Sequence, residues 1–131
     1  MQTSIFTKII NGEIPANKIY EDDKTLAFLD VHPSQPGHTL VIPKTEVNRL
    51  EDLSDEDYAA VMATVKKVML RIVQVFGQEY RACLKVEGFV VPHAHVHVIP
   101  CRTVADFESK GQTGDPDYAV LAEMAQKLAF R

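Results

Sequence analysis

A surplus of basic residues is missing from this sequence: 14 Lys and Arg stand against 18 Asp and Glu in 131 residues, for a formal net charge of −4. A sequence-independent grip on nucleic acid relies on clustered Lys and Arg that neutralise phosphates, so the balance argues against that partner, and any phosphate the chain binds is expected to be a small one. Cysteine is scarce. Cys83 and Cys101 have neither metal-type spacing nor a secretory context, and both are read as free thiols. No run of ~18 consecutive apolar residues occurs. The amino terminus, MQTSIFTKII, lacks the basic start and long apolar stretch of a signal peptide. A soluble, cytoplasmic protein without a membrane partner is expected. With 46% hydrophobic and 24% charged residues and no repeat or low-complexity tract, disorder is not expected, and the length fits one domain with a sizeable core.

What is present is concentrated in one stretch, Pro92 to Pro100, PHAHVHVIP. Three histidines alternate with Ala94, Val96 and Val98, which predicts a β-strand with His93, His95, His97 and Ile99 on one face and the small apolar residues on the other. Neighbouring imidazoles in such a row stand about 6–7 Å apart. A single strand histidine is ordinarily structural. Three in alternation are not, because each buried imidazole requires partners of its own.

Around this strand the chain reads as α+β. Ile5, Phe6, Ile9 and Ile10 predict a short helix stopped at Gly12. Lys18 to Glu21 and Thr25 to Asp30 predict a hairpin turned by Asp22, Asp23 and Lys24, and His38 to Ile42 a further strand closed by Pro43. Ser54, with Asp57 three residues on, caps a long helix whose apolar stripe runs from Tyr58 to Val75 and ends at Gly77. Arg81 to Glu87 alternates as a strand and pairs antiparallel with the histidine strand across a short connection. Thr103 to Gly114 reads as a polar loop. Asp115-Pro116 then opens a tail helix lined by Val120, Leu121, Met124 and Leu128, either a lid or a subunit contact. The expected architecture is an antiparallel sheet of about five strands with one main helix and a C-terminal helix.

Two chemistries use rows of histidine. Alternate strand imidazoles can supply two ligands to a metal such as zinc, but His93 and His97 lie roughly 13–14 Å apart by strand rise. His38 is the only plausible further imidazole. Alternatively, a neutral imidazole attacks phosphorus and water hydrolyses the covalent intermediate. The central residue, His95, would attack, while its neighbours fix its tautomer and contact phosphate oxygens.

HAHVHVI fits a signature of His-x-His-x-His followed by two apolar residues, and the chain resembles the histidine triad (HIT) superfamily, nearest to bacterial members of its Hint branch. IFTKIINGEIPANKIYEDDKTLAFLD and PGHTLVIPK extend the likeness over most of residues 4 to 100. The resemblance implies a single HIT domain over residues 1–131, with a core of about 4–102 and an extension of 103–131. It implies a nucleotide hydrolase or transferase acting at the α-phosphate, with His95 transiently nucleotidylated. His97 matches the histidine that orients the nucleophile and contacts phosphate, His93 its supporting partner, and His38 an additional supporting histidine. Asp30, with Val31 beside it, matches the residue that holds the ribose hydroxyls, and Ile5, Phe6, Ile9, Ile14 and Phe28 match the apolar wall around the base. The resemblance further implies a small nucleotide ligand, a purine by preference, no cofactor and a homodimer that joins two sheets.

The departures from the family pattern are specific. Members of the phosphoramidase branch often carry Gly-Gln-Ser or Gly-Gln-Thr before the triad, and residues 87–92, EGFVVP, have none of these side chains; backbone amides or water are expected to substitute. Val86 stands where asparagine is usual. Many bacterial relatives bind zinc through Cys-x-x-Cys and a histidine where this chain has Ser4, Thr7 and Glu46, together with the triad's first histidine. These three residues cannot make a thiolate site, so no structural zinc is expected.

Overall fold

Turn and cap chemistry places most of the elements. The computed structural model describes residues 3–131, in the order α1 (Ile5–Ile10), β1 (Lys18–Glu21), β2 (Thr25–Leu29), β3 (Thr39–Pro43), a 3-10 turn (Leu50–Asp52), α2 (Asp55–Phe76), β4 (Arg81–Lys85), β5 (Val96–Cys101), α3 (Val104–Glu108) and α4 (Tyr118–Leu128). Asp22 builds the β1–β2 turn, its Oδ1 accepting the N–H groups of Lys24 and Thr25 at 2.9 and 2.7 Å. Ser54 Oγ accepts the Asp57 N–H at 3.1 Å to start α2, and Gly77, at φ 110°, ends it. The strands form one antiparallel sheet in the order β1-β2-β3-β5-β4. This is the expected α+β architecture of five strands, a main helix and a C-terminal helix.

The two faces of the sheet are buried by different layers. Ala27, Leu29, Val41, Val96 and Val98 pack against Val61, Val65, Val68 and Ile72 of α2. On the opposite face Leu26, Phe28, Leu40 and Ile42 lie under Phe6 and Ile9 of α1. A helix as short as α1 is marginal alone; the apolar contact and the Ser4 N-cap, whose Oγ accepts the Thr7 N–H at 3.0 Å, hold it.

Three expectations are corrected. The histidine strand begins at Val96, not at Pro92. Ladder pairing with β3 starts at Val41↔Val96, and upstream of it the Ala94 N–H goes to the Val47 carbonyl at 2.7 Å, which turns the chain away from β3. The polar stretch after Thr103 is not all loop. Thr103 Oγ1 accepts the Asp106 N–H at 3.1 Å and Asp106 Oδ2 accepts the Arg102 N–H at 2.9 Å, and this reciprocal capping supports α3 on an otherwise exposed surface. The tail helix begins at Tyr118 behind an Asp117 cap, two residues later than Asp115-Pro116 predicts.

That tail helix is a core element on the α2 side. Leu121 and Leu128 are buried, and Phe130 stacks on Tyr20 at 4.9 Å between ring centroids. The Arg71 guanidinium donates to the carbonyls of Lys127, Leu128 and Ala129 at 3.0–3.2 Å, satisfying the helix's terminal acceptors. Cys83 and Cys101 are free thiols, and burial, with Cys83 beside it, pushes Cys101 up to about 12. Among the described residues no helix is long and apolar enough to cross a membrane.

Candidate functional site

The register of the sheet lines up the site. Phe28 pairs with Leu40 and Leu40 with His97, so these three side chains share one cross-strand row on the α1 face. His38 precedes β3 on the same face, after Gly37, whose φ of 89° suits glycine and whose added Cβ would meet the Phe76 ring at 2.9 Å. His95 lies one turn of the pleat before His97, its ring 5.0 Å from that of His97 and edge-on to Phe6 at 5.1 Å.

Hydrogen bonds decide where each imidazole carries its proton. His95 Nδ1 lies 2.7 Å from the His93 carbonyl oxygen, which only accepts, so Nδ1 holds the hydrogen and the Nε2 lone pair is free. His38 Nδ1 accepts the Ser34 backbone N–H at 3.1 Å, so the neutral His38 ring is protonated at Nε2 and donates to His97 Nδ1 at 2.9 Å. His97 is therefore protonated at Nε2. The pair at the centre is complementary: a bare Nε2 on His95 and an Nε2–H on His97. Burial pushes His38 down to about 4 against the pull of Asp30, and burial with the nearness of His95 also lowers His97, so both rings are held neutral.

His93 is placed differently from the other two. Its ring is fully buried, donates from Nε2 to the Pro43 carbonyl at 2.9 Å and accepts the Ser4 hydroxyl at Nδ1, 2.8 Å away. Its backbone carbonyl, not its ring, meets His95.

Glu87 is a residue that the sequence reading passes over. The 87–92 segment lacks hydrogen-bonding side chains at Val90 and Val91, yet Glu87 folds inward, its Oε1 3.6 Å from both His95 Nε2 and His97 Nε2. The backbone N–H groups of Gly88 and Phe89 lower its carboxyl below the usual range. Spacing gave no signal for it, because Glu87 lies at the end of the β4 alternation, where a carboxylate reads as solvent-facing.

The remaining candidates gather beside this centre. Ile5, Phe6, Ile9, Ile14, Phe28, Asp30 and Val31 all line one cavity of about 700 Å³, a size suited to a small organic ligand, and His95 and His97 form its end. Phe6 and Phe28 meet edge to face at 5.5 Å. Asp30 Oδ1 accepts the His32 N–H at 2.9 Å, and its Oδ2 lies 3.7 Å from His38 Nε2. On the far side of His97 a second cavity is lined by Lys85, Glu108, Ser109 and Lys110. Its tail segment is pressed onto residues 32–34: Ser109 Oγ donates to the Ser34 carbonyl at 3.1 Å, and a Cβ on Gly111 would lie 2.6 Å from the His32 carbonyl oxygen.

Asp30, His38 and His97, and likewise Glu87, His95 and His97, bring ligand atoms within 4.8 Å of one another. A metal at the first set would have to displace the His38–His97 hydrogen bond, and one at the second the proton on His97 Nε2. Ser4, Thr7, Glu46 and His93 do converge, but as a hydrogen-bonded cluster. Glu46 Oε1 accepts the Ser4 N–H at 2.7 Å and the Thr7 hydroxyl at 2.5 Å, and the Ser4 hydroxyl occupies the His93 Nδ1 lone pair. Two hydroxyls and a carboxylate do not provide the thiolate and imidazole set of a structural zinc site.

The apolar cavity thus ends on the imidazoles of His95 and His97. Comparison with known proteins gives the family: residues 11–104 match the HIT domain, and the chain belongs to the HIT domain family. It is 42% identical over 100 residues to an adenosine 5′-monophosphoramidase of Schizosaccharomyces pombe, covering 73% of this chain and 72% of that protein. It is 38% identical over 100 residues to an adenylylsulfatase of Arabidopsis thaliana, covering 73% of this chain and 51% of that protein. A crystal structure of a Hit-like protein from Bartonella henselae superposes with a TM-score of 0.77 at 33% identity, covering 96% of this chain and 94% of that one.

Proposed function

We propose that this chain is a nucleotide hydrolase that cleaves a nucleoside 5′-phosphoramidate or related conjugate at the α-phosphate, through a nucleotidyl intermediate on His95 Nε2. The observation that carries this reading is the 2.7 Å tie from His95 Nδ1 to the His93 carbonyl, which leaves an unprotonated nucleophilic nitrogen at the end of the ligand cavity. The base lies among Ile5, Phe6, Ile9, Ile14 and Phe28, with room for a purine, and Asp30 beside Val31 takes the ribose hydroxyls as an acceptor-only group. The Nε2–H of His97 donates to a phosphoryl oxygen as charge develops, with its ring held by His38. His93 supports the nucleophile through its carbonyl.

The domain runs over the whole chain, residues 103–131 being an extension of the HIT core. Two copies pair as a cytoplasmic homodimer through β4, which ends the sheet. A second reading, a dinucleoside polyphosphate hydrolase, draws support from Lys85 and Lys110 in the cavity beyond His97, where an anionic leaving group would meet them.

The deciding experiment measures turnover of adenosine 5′-phosphoramidate and of a dinucleoside polyphosphate by the wild type and His95→Ala. Faster turnover of the phosphoramidate, abolished in the variant, is expected. Preference for the polyphosphate supports the second reading, and tight nucleotide binding without turnover of either makes the protein a binding module.

A further inference from the structure

Hydrolysis of a P–N bond needs a proton delivered to the departing nitrogen and one removed from water, and the ordered imidazoles do not supply it. His97 has a proton on Nε2, but its Nδ1 already accepts from His38 Nε2, and His38 Nδ1 in turn accepts a backbone amide hydrogen from Ser34. Giving up the His97 proton would leave an imidazolate at the end of a chain that terminates in the Ser34 backbone N–H and hydroxyl, neither of which is acidic enough to replace it. His97 is thus a fixed hydrogen-bond donor. Glu87 is the only carboxylate within 4.0 Å of either central Nε2 among the described residues, and it is equidistant from both. It is also the one side chain shared by the nucleotide cavity, the cavity beyond His97 and a third cavity beside Arg49 and Phe89. Its carboxylate therefore borders each of these spaces.

We propose that Glu87 is the general acid–base of this site, an assignment that rests on the nucleotidyl-His95 reading. To enter the cycle the site takes up one proton from solvent, which Glu87 and the otherwise bare His95 Nε2 hold between them. That proton moves to Glu87 Oε1, freeing the Nε2 lone pair. Nε2 then forms its bond to phosphorus as the bond from phosphorus to the amine nitrogen breaks, and the nitrogen, keeping the electron pair, takes the proton from Glu87 and leaves as a neutral amine. Glu87, again a carboxylate, removes a proton from water as the water oxygen bonds to phosphorus. The bond from phosphorus to Nε2 breaks with its electron pair returning to His95, and the proton on Glu87 is shared with Nε2 once more. The sum is one phosphoramidate and one water consumed, and one amine and one nucleotide formed. A separation of 3.6 Å in the empty site is compatible with this role, since such contacts tighten when substrate is bound.

The test is Glu87→Gln on two substrates with the same nucleoside phosphate: an alkylamine phosphoramidate, whose nitrogen must be protonated to leave, and a 4-nitrophenyl ester, whose phenolate leaves unaided. For the phosphoramidate kcat is expected to fall about 10²–10³-fold, within the range for loss of a general acid. The ester gives a burst of nitrophenolate equal to the enzyme concentration followed by slow turnover, and the nucleotidyl group accumulates on His95 by intact-mass and peptide analysis. A merely structural role predicts equal losses on both substrates and no burst. Equal losses, or no loss on either substrate, overturn the assignment while His95 labelling in the wild type leaves the parent reading standing. Absence of cleavage and of label in the wild type overturns both.

Discussion

The two faces of one sheet do different work with the same strand. On the α2 side Val96 and Val98 of β5 disappear into a continuous apolar core with Val61, Val65, Val68 and Ile72. On the α1 side His97 of that strand, with His95 just before it, stands at the end of an open cavity. Burial accounts for the first face at about 25 cal/mol per Å². The second face sacrifices such burial to hold polar rings, and each ring is kept by a specific hydrogen bond in place of packing. A substitution on one face should therefore register in stability and on the other in activity, and four predictions test that division.

The largest effect is expected at His95. His95→Ala should lower turnover by about 10³-fold or more, the scale on which loss of a covalent nucleophile acts, while the thermal midpoint stays near that of the wild type. A parallel fall in both would mean that the two faces are not separable. Next is Ile72→Ala on the opposite face, which should cost about 2–5 kcal/mol in urea unfolding with activity per folded molecule unchanged. Altered kcat in the folded fraction would break the comparison from the other side.

The polar face should betray itself in acid. His38, His93 and His97 have folded pKa values pushed down by burial, to about 4 for His38. An unfolded histidine takes up its proton near 6.5, so the unfolded state binds more protons and stability falls as pH drops from about 6.5 through about 4. For His38 alone the loss over that whole range amounts to about 3 kcal/mol, of which about 2 kcal/mol falls between pH 7 and pH 5. Urea midpoints at pH 7 and pH 5 measure it, and His38→Gln should flatten the dependence; a slope unchanged by that substitution contradicts the assignment. The smallest effect is at Asp30. Asp30→Asn should raise KM about tenfold, equivalent to one weakened hydrogen bond to a charged group, and narrow the preference for ribonucleotides over 2′-deoxyribonucleotides. An undiminished preference would remove Asp30 from the ribose.

The apolar face was the more legible in the sequence. The stripe from Tyr58 to Val75, the Ser54 cap, Gly77 and the Asp22 turn each carry a local signal, and local hydrogen bonds realise it. The histidine row was legible as a composition, but its geometry was not. Alternation implies three equivalent rings, whereas a long-range bond from Ala94 to Val47 ends the ladder before His95 and aims the His93 ring at Ser4 and Pro43. The His38–His97 link spans 59 positions, and no spacing rule anticipates it. Glu87 was hidden for a related reason, since only the return of the chain over β5 brings its carboxylate to both Nε2 atoms. In the sequence Ser4, Thr7 and Glu46 read only as residues that cannot make a thiolate site; that they join His93 in one hydrogen-bonded cluster is a property of the assembled fold.

One asymmetry sets the five imidazoles apart. Four of them, His32, His38, His93 and His97, have acceptors or donors that place the neutral-ring proton on Nε2, and His95 alone has it on Nδ1. Long-range proton–nitrogen NMR correlation of the imidazole nitrogens, recorded at a pH well above the histidine titration range, reads these tautomers directly. The expected spectrum has a single Nδ1–H ring, assigned by its loss in His95→Ala. A spectrum in which His95 is protonated at Nε2, leaving no free nitrogen facing the cavity, would contradict the nucleophile assignment.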